Sequence, residues 1–512
     1  MSGREVLMEG VVSDRRTAPA GQPRKLLFLA DSYLRDALWP PFHQNTIRAL
    51  SAGFDEILAV RTNSFFHNRS HLPRSDADRS RLVSIVRDFA PDVVFSINRT
   101  GLAPAVIAAV GEQARIVTLF IDFFERFTPQ LHEYTAREYV WLLGNKKLEA
   151  SFHHRYGHRL RPNHVIATHW CADHHAFYPT GVPRTIDAVY VGTPFGSLPF
   201  AEIVDAFHAY PANRAALLAV HELHKRSYVY DWLAALRQHG FDFQRVPAKA
   251  AEWLRDGQYL STAASDQLTA EVRVRFLSAL AGLDLRIYGT PTLKWIQNIG
   301  LVDSKLFRHF QFRGVDDPVE LAGLYNSARI GVNIQHDNAR GHGMSFRVYE
   351  IMACKALLAT HADATEPLTE MGFVEGVDFV DFADPAELRR KCDYFLAHSD
   401  ERQQIIESAY AKLRSRHTVA LRLAEMFDRC GEFETRDRFL TSTRTGAIAA
   451  NGKVRHIPEQ LPTLPPPEAP SPDSLEALTA EIAALRSSWA LRLGTWMLAP
   501  ARPVKRLLRR AA

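Results

Sequence analysis

The chain has little of what marks secreted or membrane-spanning proteins. Among its 512 residues there are four cysteines, and none of them forms a Cys-x-x-Cys pair. This excludes a disulfide framework and the familiar zinc-site spacings, and it favours a reducing compartment, which we expect to be the cytoplasm. No apolar run approaches the ~18 residues of a membrane helix. The first 25 residues lack the apolar stretch of a secretion signal.

The composition is that of a folded protein, with 46% hydrophobic and 23% charged residues. The net charge of +5 is unevenly distributed, because residues 482–512 hold seven basic side chains and no acidic one. Without this segment the formal charge of the chain is close to neutral. A nucleic-acid-binding body is expected to be basic, so we expect no nucleic acid partner.

Short apolar runs alternate with helical segments along most of the chain, which is the pattern of buried parallel strands. We therefore predict an α/β fold with two doubly wound domains that meet near residues 179–183. The predicted strands of the first domain are Lys25–Ala30, Glu56–Val60, Asp92–Ile97, Arg115–Ile121 and His164–Thr168. Those of the second domain are Ile186–Val191, Asp284–Tyr288, Phe310–Phe312, Ile330–Ile334, Ala356–Thr360 and Phe379–Phe382.

The domain organisation that we predict has six parts. They are a flexible leader (1–23), a first Rossmann-like domain (24–180), a second Rossmann-like domain (181–395) with a helical insert at about 200–282, C-terminal helices (396–440), a Pro-rich linker (441–473) and an amphipathic basic tail (474–512). Ligands of open α/β sheets bind beyond the carboxyl ends of the strands. We therefore expect the functional site in a cleft between the two domains.

The stretch Gly341–Cys354 is the most informative part of the sequence. It opens with two glycines, which allow a backbone to approach a ligand closely. Ser345 is a plausible N-cap for the helix that follows, and a helix N-terminus that points into a cleft suits a diphosphate. Arg347 and Glu350 share one face of this helix. From their spacing alone, a surface ion pair remains the competing interpretation.

The same stretch resembles the nucleotide-sugar signature of group 1 glycosyltransferases, and most closely the spore-maturation, CgeB-like branch. Further matching motifs follow in the expected order: His169–Asp173, Asp187–Gly192, Leu283–Gly289, Phe312–Gly314, Leu324–Asn326, and His417 with Arg422. Together they cover about 165–430. The resemblance implies a GT-B fold, in which an acceptor-side domain and a nucleotide-sugar domain face each other across a cleft.

The resemblance also implies an activity: transfer of a sugar from a nucleotide-sugar donor to a glycan, lipid-linked or protein acceptor, as in the synthesis of cell-surface glycans. The donor is a co-substrate, so no cofactor is expected. Basic side chains and a helix N-terminus would stabilise the leaving diphosphate without a metal, and a retaining outcome is implied. Two other functions stay open. One is another GT-B reaction, such as that of an epimerase or a hydrolase, and the other is a catalytically silent, sugar-nucleotide-binding scaffold.

Carried over by position, Glu350 would bind the ribose of the donor and Arg347 its diphosphate. The other donor contacts that the matched motifs imply are Gly192, Gly289, His342, Gly343, Met344, Ser345 and Lys355. His342 stands where related retaining enzymes have an acidic residue, and Lys355 where the family has glycine. For Lys355, a diphosphate contact and a solvated helix end both stay open.

An inverting reaction would need a general base in the first domain. Asp122, after a predicted strand, and His43, in the loop after the first strand, are the candidates, and a structural role is the competing interpretation for each. Seven histidines lie between residues 153 and 175, but no pair of them forms a His-Glu-x-x-His motif, and the matched family uses no catalytic metal. We therefore expect no metal site.

The tail contains an apolar block with Trp489 and Trp496, followed by the basic run Lys505–Arg510. The block is too short to span a bilayer. Tryptophans beside basic residues suit the headgroup region of a membrane. Two interpretations stay open: peripheral binding to an anionic surface at the inner face of the cell membrane, and docking of the tail on the body.

Overall fold

A computed structural model describes most of the body of the chain. It covers residues 24–32, 39–66, 73–121, 134–157, 160–192, 199–251, 254, 258–289, 304–311, 313–315, 317–340, 343–445 and 453–457. The predicted leader and tail lie outside these ranges, as do Asp122 and His342. Within the ranges, no helix combines the length and the apolar character that crossing a bilayer requires.

Twelve strands are found in the part of the chain that the structure describes. They are β1 (Lys25–Ala30), β2 (Glu56–Arg61), β3 (Val93–Ile97), β4 (Arg115–Phe120), β5 (Glu138–Leu143), β6 (Val165–Thr168), β7 (Ile186–Val191), β8 (Leu285–Tyr288), β9 (Ala328–Asn333), β10 (Leu357–His361), β11 (Val380–Phe382) and β12 (Lys453–Ile457). The first sheet has the order β12-β2-β1-β3-β4-β5-β6 and the second the order β11-β10-β9-β7-β8. Every strand pair is parallel.

Helices connect the strands and cover both sheets. They are α1 (Pro41–Leu50), α2 (Asp76–Phe89), α3 (Pro104–Ala109), α4 (Lys146–Tyr156), α5 (Pro199–Ala206), α6 (Pro211–Arg226), α7 (Trp232–Gln238), α8 (Gln258–Ala279), α9 (Pro318–Ser327), α10 (Arg347–Ala353), α11 (Thr365–Glu370), α12 (Pro385–Ala397), α13 (Ser399–Arg416), α14 (Val419–Arg429) and α15 (Phe433–Thr445). Several begin at a side chain that accepts from the first turn, including Ser75, Asn145, Asp231, Asp317 and Asp384. Such caps satisfy backbone donors that have no partner within the helix.

The predicted α/β fold with two doubly wound, Rossmann-like sheets is confirmed. Strands occur at all the predicted positions except one, with bounds that differ by at most two residues. The exception is Phe310–Phe312, of which Phe310 forms only a bridge to Ile287. The sequence prediction also missed β5. This strand begins with Glu138, whose charge is neutralised inside the protein by Arg99, at 3.0 Å.

The chain returns to the first sheet near its C-terminal end. Strand β12 lies inside the segment that was predicted to be a linker, and it pairs with β2 at the edge of the sheet. Its sequence is polar and largely exposed because an edge strand has a single partner, which is why no apolar run marked it. Glu432, just before α15, forms hydrogen bonds with Arg24 and Arg115 at the starts of β1 and β4.

Helices α5 to α8 form an insert between β7 and β8. They enclose a hydrophobic cluster of their own, which includes Phe207, Leu217, Trp232 and Leu236. Helix α8 then continues into the core of the second sheet, where Phe276 and Leu277 are buried. The insert is therefore a small helical body with its own core, and its last helix continues into the second domain.

The end of α2 provides a test of backbone strain. Ala90 is exposed and has a left-handed conformation, with φ 49°. Only glycine adopts this conformation without steric cost, so Ala90→Gly should raise the free energy of unfolding by about 1 kcal/mol. Ala411→Gly, at an exposed position inside α13, should lower it by about 1 kcal/mol. Urea unfolding measures both changes, and a loss of stability in Ala90→Gly would contradict the described backbone.

Candidate functional site

The second sheet has a switch point between β7 and β9. From β7 the chain passes to β8 on one side, and it then returns to β9 on the other side. A crevice opens at the carboxyl ends of two such strands, and it is the usual ligand site of an open α/β sheet. Gly192 follows β7 at this point, and the loop 334–346 follows β9. Two of the matched motifs therefore meet at one crevice.

Helix α10 is held directly against β9. Its residues Val348, Ile351 and Met352 are buried in the core between the helix and the sheet. The contact is close because Gly331 on β9 has no side chain: a methyl group there would lie 2.6 Å from Cγ2 of Ile351. This packing leaves Arg347 and Glu350 on the part of the helix that is not covered by the sheet.

The loop before α10 is ordered by a buried glutamine. Gln335 Nε2 donates to the carbonyl of Gly343 at 2.7 Å, and Gln335 Oε1 accepts from the backbone N–H of Ser345 at 3.1 Å. A methyl group at Gly343 would lie 3.3 Å from the carbonyl oxygen of Leu143, at the end of β5. The carboxyl ends of the two sheets therefore meet across this loop, and Met344 packs against the core beside it.

Arg347 reaches from α10 to the end of β7. Its Nη1 and its backbone N–H each donate to Ser345 Oγ at 3.2 Å, so Ser345 accepts from the start of the helix, as an N-cap does, and also orders the arginine side chain. A methyl group at Gly192 would lie 3.0 Å from Nη2 of Arg347. Arg347 forms no ion pair with any residue that the structure describes. The geometry therefore does not support the alternative of a surface ion pair between Arg347 and Glu350.

A second arginine, which sequence reasoning did not single out, lies beside Arg347. Arg273 on α8 is 3% exposed, and its Nε and Nη2 donate to the carbonyl of Ile334 at 3.2 Å. Burial, together with the charge of Arg347, lowers the pKa of Arg273 to about 10. Nothing local in the sequence relates the two arginines, because only the packing of α8 brings them together.

Between these arginines lies the hydroxyl of Tyr190 on β7. It is buried and has no hydrogen-bond partner among the residues that the structure describes. The guanidinium of Arg273 lies 5.9 Å from the centre of the Tyr190 ring, and the hydroxyl lies 2.8 Å from where a methyl group at Gly192 would be. The guanidinium of Arg347 and an unpartnered hydroxyl thus converge on Gly192, with the charge of Arg273 behind the Tyr190 ring, and this arrangement favours an anionic ligand.

Glu350 lies at a cavity of about 170 Å³ between the two domains. Burial raises the pKa of its carboxyl from 4.5 to about 7, and the charge of Arg347 opposes this shift. The carboxylate makes no hydrogen bond with the described residues. Glu350 is half-buried, and a carboxylate that has lost part of its hydration gains from hydroxyl groups that a ligand donates to it.

Aromatic side chains of both domains form a wall of the same cavity. Phe42 on α1 stacks on Phe346, with 4.8 Å between ring centres and 12° between ring planes. Trp170 lies 5.5 Å from Phe42, and Val315 and Pro318 line the cavity on the side of the second domain. Flat apolar rings beside the carboxyl groups of Glu350 and Asp173 suit a ligand with a planar ring and hydroxyl groups.

Gly289 and Lys355, which the resemblance also implied as donor contacts, lie at different places in the second domain. Gly289 ends β8, and its N–H donates to the carbonyl of Arg313 at 2.9 Å. Lys355 follows the opposite end of α10, where its Nζ pairs with Glu407 at 2.7 Å and lies 4.7 Å from the Tyr410 ring centre. The geometry of Lys355 supports the helix-end interpretation. Its φ of 56° also explains why glycine is usual at this position.

His43 lies on α1 rather than in the loop after β1. It is surrounded by the rings of Phe28, Trp39 and Phe42, and burial lowers the pKa of its imidazole to about 4. Its Nδ1 has no hydrogen-bond partner in the described part of the chain. This position in an aromatic cluster supports the structural interpretation of His43 over that of a general base.

No group of three His, Cys, Asp or Glu side chains that could hold a metal ion is found within the described ranges. The histidines between 153 and 175 are dispersed over several elements. His164 bonds to the carbonyl of Glu138, whereas His169 pairs with Glu370 of the second domain at 3.1 Å.

Comparison with known proteins assigns a family description to part of the chain. Residues 272–428 match the family model described as glycosyl transferase-like. The matched segment runs from α8 to α14, and it contains Arg273, Arg347 and Glu350. A search of curated proteins finds no match to the chain.

Solved structures that resemble the chain include three transferases or synthases. A glycosyltransferase from Rickettsia africae ESF-5 is 11% identical, with 80% of this chain and 98% of that chain covered and a TM-score of 0.47. Anabaena Alr3699/HepE in complex with UDP and glucose is 11% identical, with 79% and 99% covered and a TM-score of 0.47. Sucrose-phosphate synthase from Thermosynechococcus elongatus is 11% identical, with 79% and 98% covered and a TM-score of 0.46.

The raised pKa of Glu350 has a consequence for stability. The folded protein holds a proton on Glu350 up to pH about 7, whereas the unfolded chain loses it near pH 4.5. As pH rises through this window, the cost of burying the charged carboxylate lowers the free energy of unfolding. Above pH 7 this loss of stability reaches about 3 kcal/mol. Glu350→Gln removes the penalty, so it should match the wild type near pH 4 and be the more stable protein at pH 8.

The measurement is urea unfolding of both proteins at pH 4 and pH 8, with Glu112→Gln as a control at an exposed position. The control should leave the pH dependence unchanged. If Glu350→Gln and the wild type differ in stability by the same amount at both pH values, this carboxyl is not held protonated in the fold.

Proposed function

We propose that this protein is a glycosyltransferase that moves a sugar from a nucleotide-sugar donor to a glycan, lipid-linked or protein acceptor. One observation carries the proposal. Arg347 and Glu350 lie in the segment that matches the glycosyl transferase-like family; Arg347 reaches Gly192 at the end of β7, and Glu350 lines the cavity between the two domains. An anion-binding group and a hydroxyl-binding group thus occur side by side, as a nucleotide sugar requires.

In this proposal the nucleoside occupies the aromatic cavity, where its base lies against Phe42 and Phe346. Its ribose hydroxyls donate to the carboxylate of Glu350, which supplies the partner that this half-buried group lacks. The diphosphate lies next to Gly192, where the backbone has no side chain in the way. There the diphosphate accepts hydrogen bonds from Arg347, and the positive charge of the buried Arg273 also stabilises it.

The chemistry follows from the position of these charges. When the bond between the anomeric carbon and the diphosphate oxygen breaks, the electron pair leaves with the diphosphate, and negative charge grows there. Arg347 and Arg273 are fixed before the reaction begins, so they stabilise this charge with little reorganisation. A metal-independent reaction is part of the proposal. The retaining outcome, the CgeB-like branch and the acceptor-side role of the first domain rest on the resemblance in sequence.

The proposal is tested by turnover of nucleotide sugars. Arg347→Ala removes a donor that meets the diphosphate as charge develops, so it should lower kcat by about 10²–10³-fold, with a smaller effect on nucleoside diphosphate binding. The assay measures release of the nucleoside diphosphate from a panel of nucleotide sugars, with glycan and lipid-linked acceptors present. Arg390→Ala, which removes an exposed arginine on α12, is the matched control and should retain the wild-type rate.

Each alternative function predicts a different result in this assay. Release of the nucleoside diphosphate without any acceptor would favour a hydrolase, whereas binding without turnover by the wild type would favour the silent scaffold. An unchanged kcat in Arg347→Ala would remove this arginine from the proposed chemistry.

A further inference from the structure

A second, larger cavity lies in the second domain, away from the aromatic cavity. Its volume is about 550 Å³, within the ~300–1,000 Å³ of small-molecule sites. One wall is a face of α8, on which Leu268, Glu271, Val272 and Arg275 follow one another at helical spacing. The opposite wall is formed by the loops after β9 and β10. The cavity therefore opens at the same carboxyl edge of the sheet as the candidate site.

This cavity is connected to the candidate site through one residue. Gln335 lines the cavity, and its amide also holds Gly343 and Ser345 of the loop that leads to Arg347. Among the residues that the structure describes, none from the first domain lines the cavity. A ligand bound here would consequently lie beside the donor without taking part in the donor contacts.

The charges of the lining are balanced. Three basic side chains, Lys225, Arg275 and Arg340, face three acidic ones, Glu271, Asp337 and Asp363. An anionic ligand would meet three carboxylates, and a cationic ligand would meet three cations. A neutral ligand that both donates and accepts hydrogen bonds avoids both penalties, since planar guanidinium and carboxylate groups bind hydroxyl groups well.

Two of these charged groups have few contacts of their own. Arg275 makes no hydrogen bond or ion pair with any residue that the structure describes, and Glu271 accepts only from Gln267 Nε2, at 3.0 Å. Both side chains are exposed, although most of α8 is buried. Beside them on the same face of α8 lie the apolar side chains of Leu268 and Val272, which offer a surface for C–H groups.

We propose that this cavity is a binding site for a neutral oligosaccharide, which holds part of the glycan on which the enzyme acts. Hydroxyl groups of the sugar would bond to Glu271 and Arg275, and the less polar face of a sugar ring would lie on Leu268 and Val272. That this glycan is the acceptor of the enzyme rests on the proposed function. The binding itself does not depend on it, and it is measured without a donor.

The test is binding of the full-length protein to an array of neutral and acidic oligosaccharides, followed by titration of the strongest neutral binder. Arg275→Ala and Glu271→Ala should each lower the affinity for that glycan at least ten-fold. Arg390→Ala is the control for loss of an exposed arginine and should bind as the wild type does. Binding of nucleoside diphosphates, measured in parallel, should be the same in all four proteins, because neither substituted residue lies in the proposed donor site.

The outcomes separate this proposal from the proposed function. A wild-type protein that binds nucleoside diphosphates but no neutral glycan overturns the oligosaccharide site and leaves the transferase proposal standing. Binding that is confined to acidic glycans contradicts the balanced charge of the lining. Neutral glycan binding that survives both substitutions places the glycan elsewhere and overturns the assignment of this cavity. If the protein binds the neutral glycan but no nucleoside diphosphate, the proposed function is contradicted and the oligosaccharide site stands.

Discussion

The candidate site depends on the contact between α10 and β9. With seven residues, α10 is about 10 Å long and has no stability of its own, so tertiary contacts must fix its position. The missing side chain of Gly331 lets Ile351 approach the strand, and Arg184 of the interdomain segment donates to the carbonyl of Cys354 at the other end of the helix, at 2.9 Å. Arg347 and Glu350 are placed by these contacts rather than by the helix itself.

The loop that leads into α10 is fixed in a comparable way by the helical insert. Asp337 Oδ2 accepts from His224 Nε2 at 2.7 Å and from Ser265 Oγ at 2.9 Å, and all three side chains are buried. His224 accepts from the N–H of Val229 through Nδ1, so its imidazole cannot take a proton from Ser265. The three residues therefore form a structural junction between insert and loop, and not a nucleophilic triad.

Local sequence was sufficient for the features that depend on one segment. The apolar runs of β1 and β7 predict buried strands, and a spacing of three positions places Arg347 and Glu350 on one face of a helix. Features that depend on distant segments could not be predicted. Glu138 precedes the short apolar run of β5, and its buried charge is acceptable only because Arg99 binds it in the fold. Arg273 joins the site only through the packing of α8.

The central claim is that a nucleotide binds at the crevice of the second sheet. The most direct measurement is a crystal structure of the protein with the nucleoside diphosphate that raises its melting temperature most in a screen. The account predicts diphosphate oxygens within about 2.7–3.2 Å of the guanidinium of Arg347, and a ribose hydroxyl bonded to Glu350. A nucleotide bound at the first sheet, or bound with the Glu350 carboxylate untouched, would contradict it.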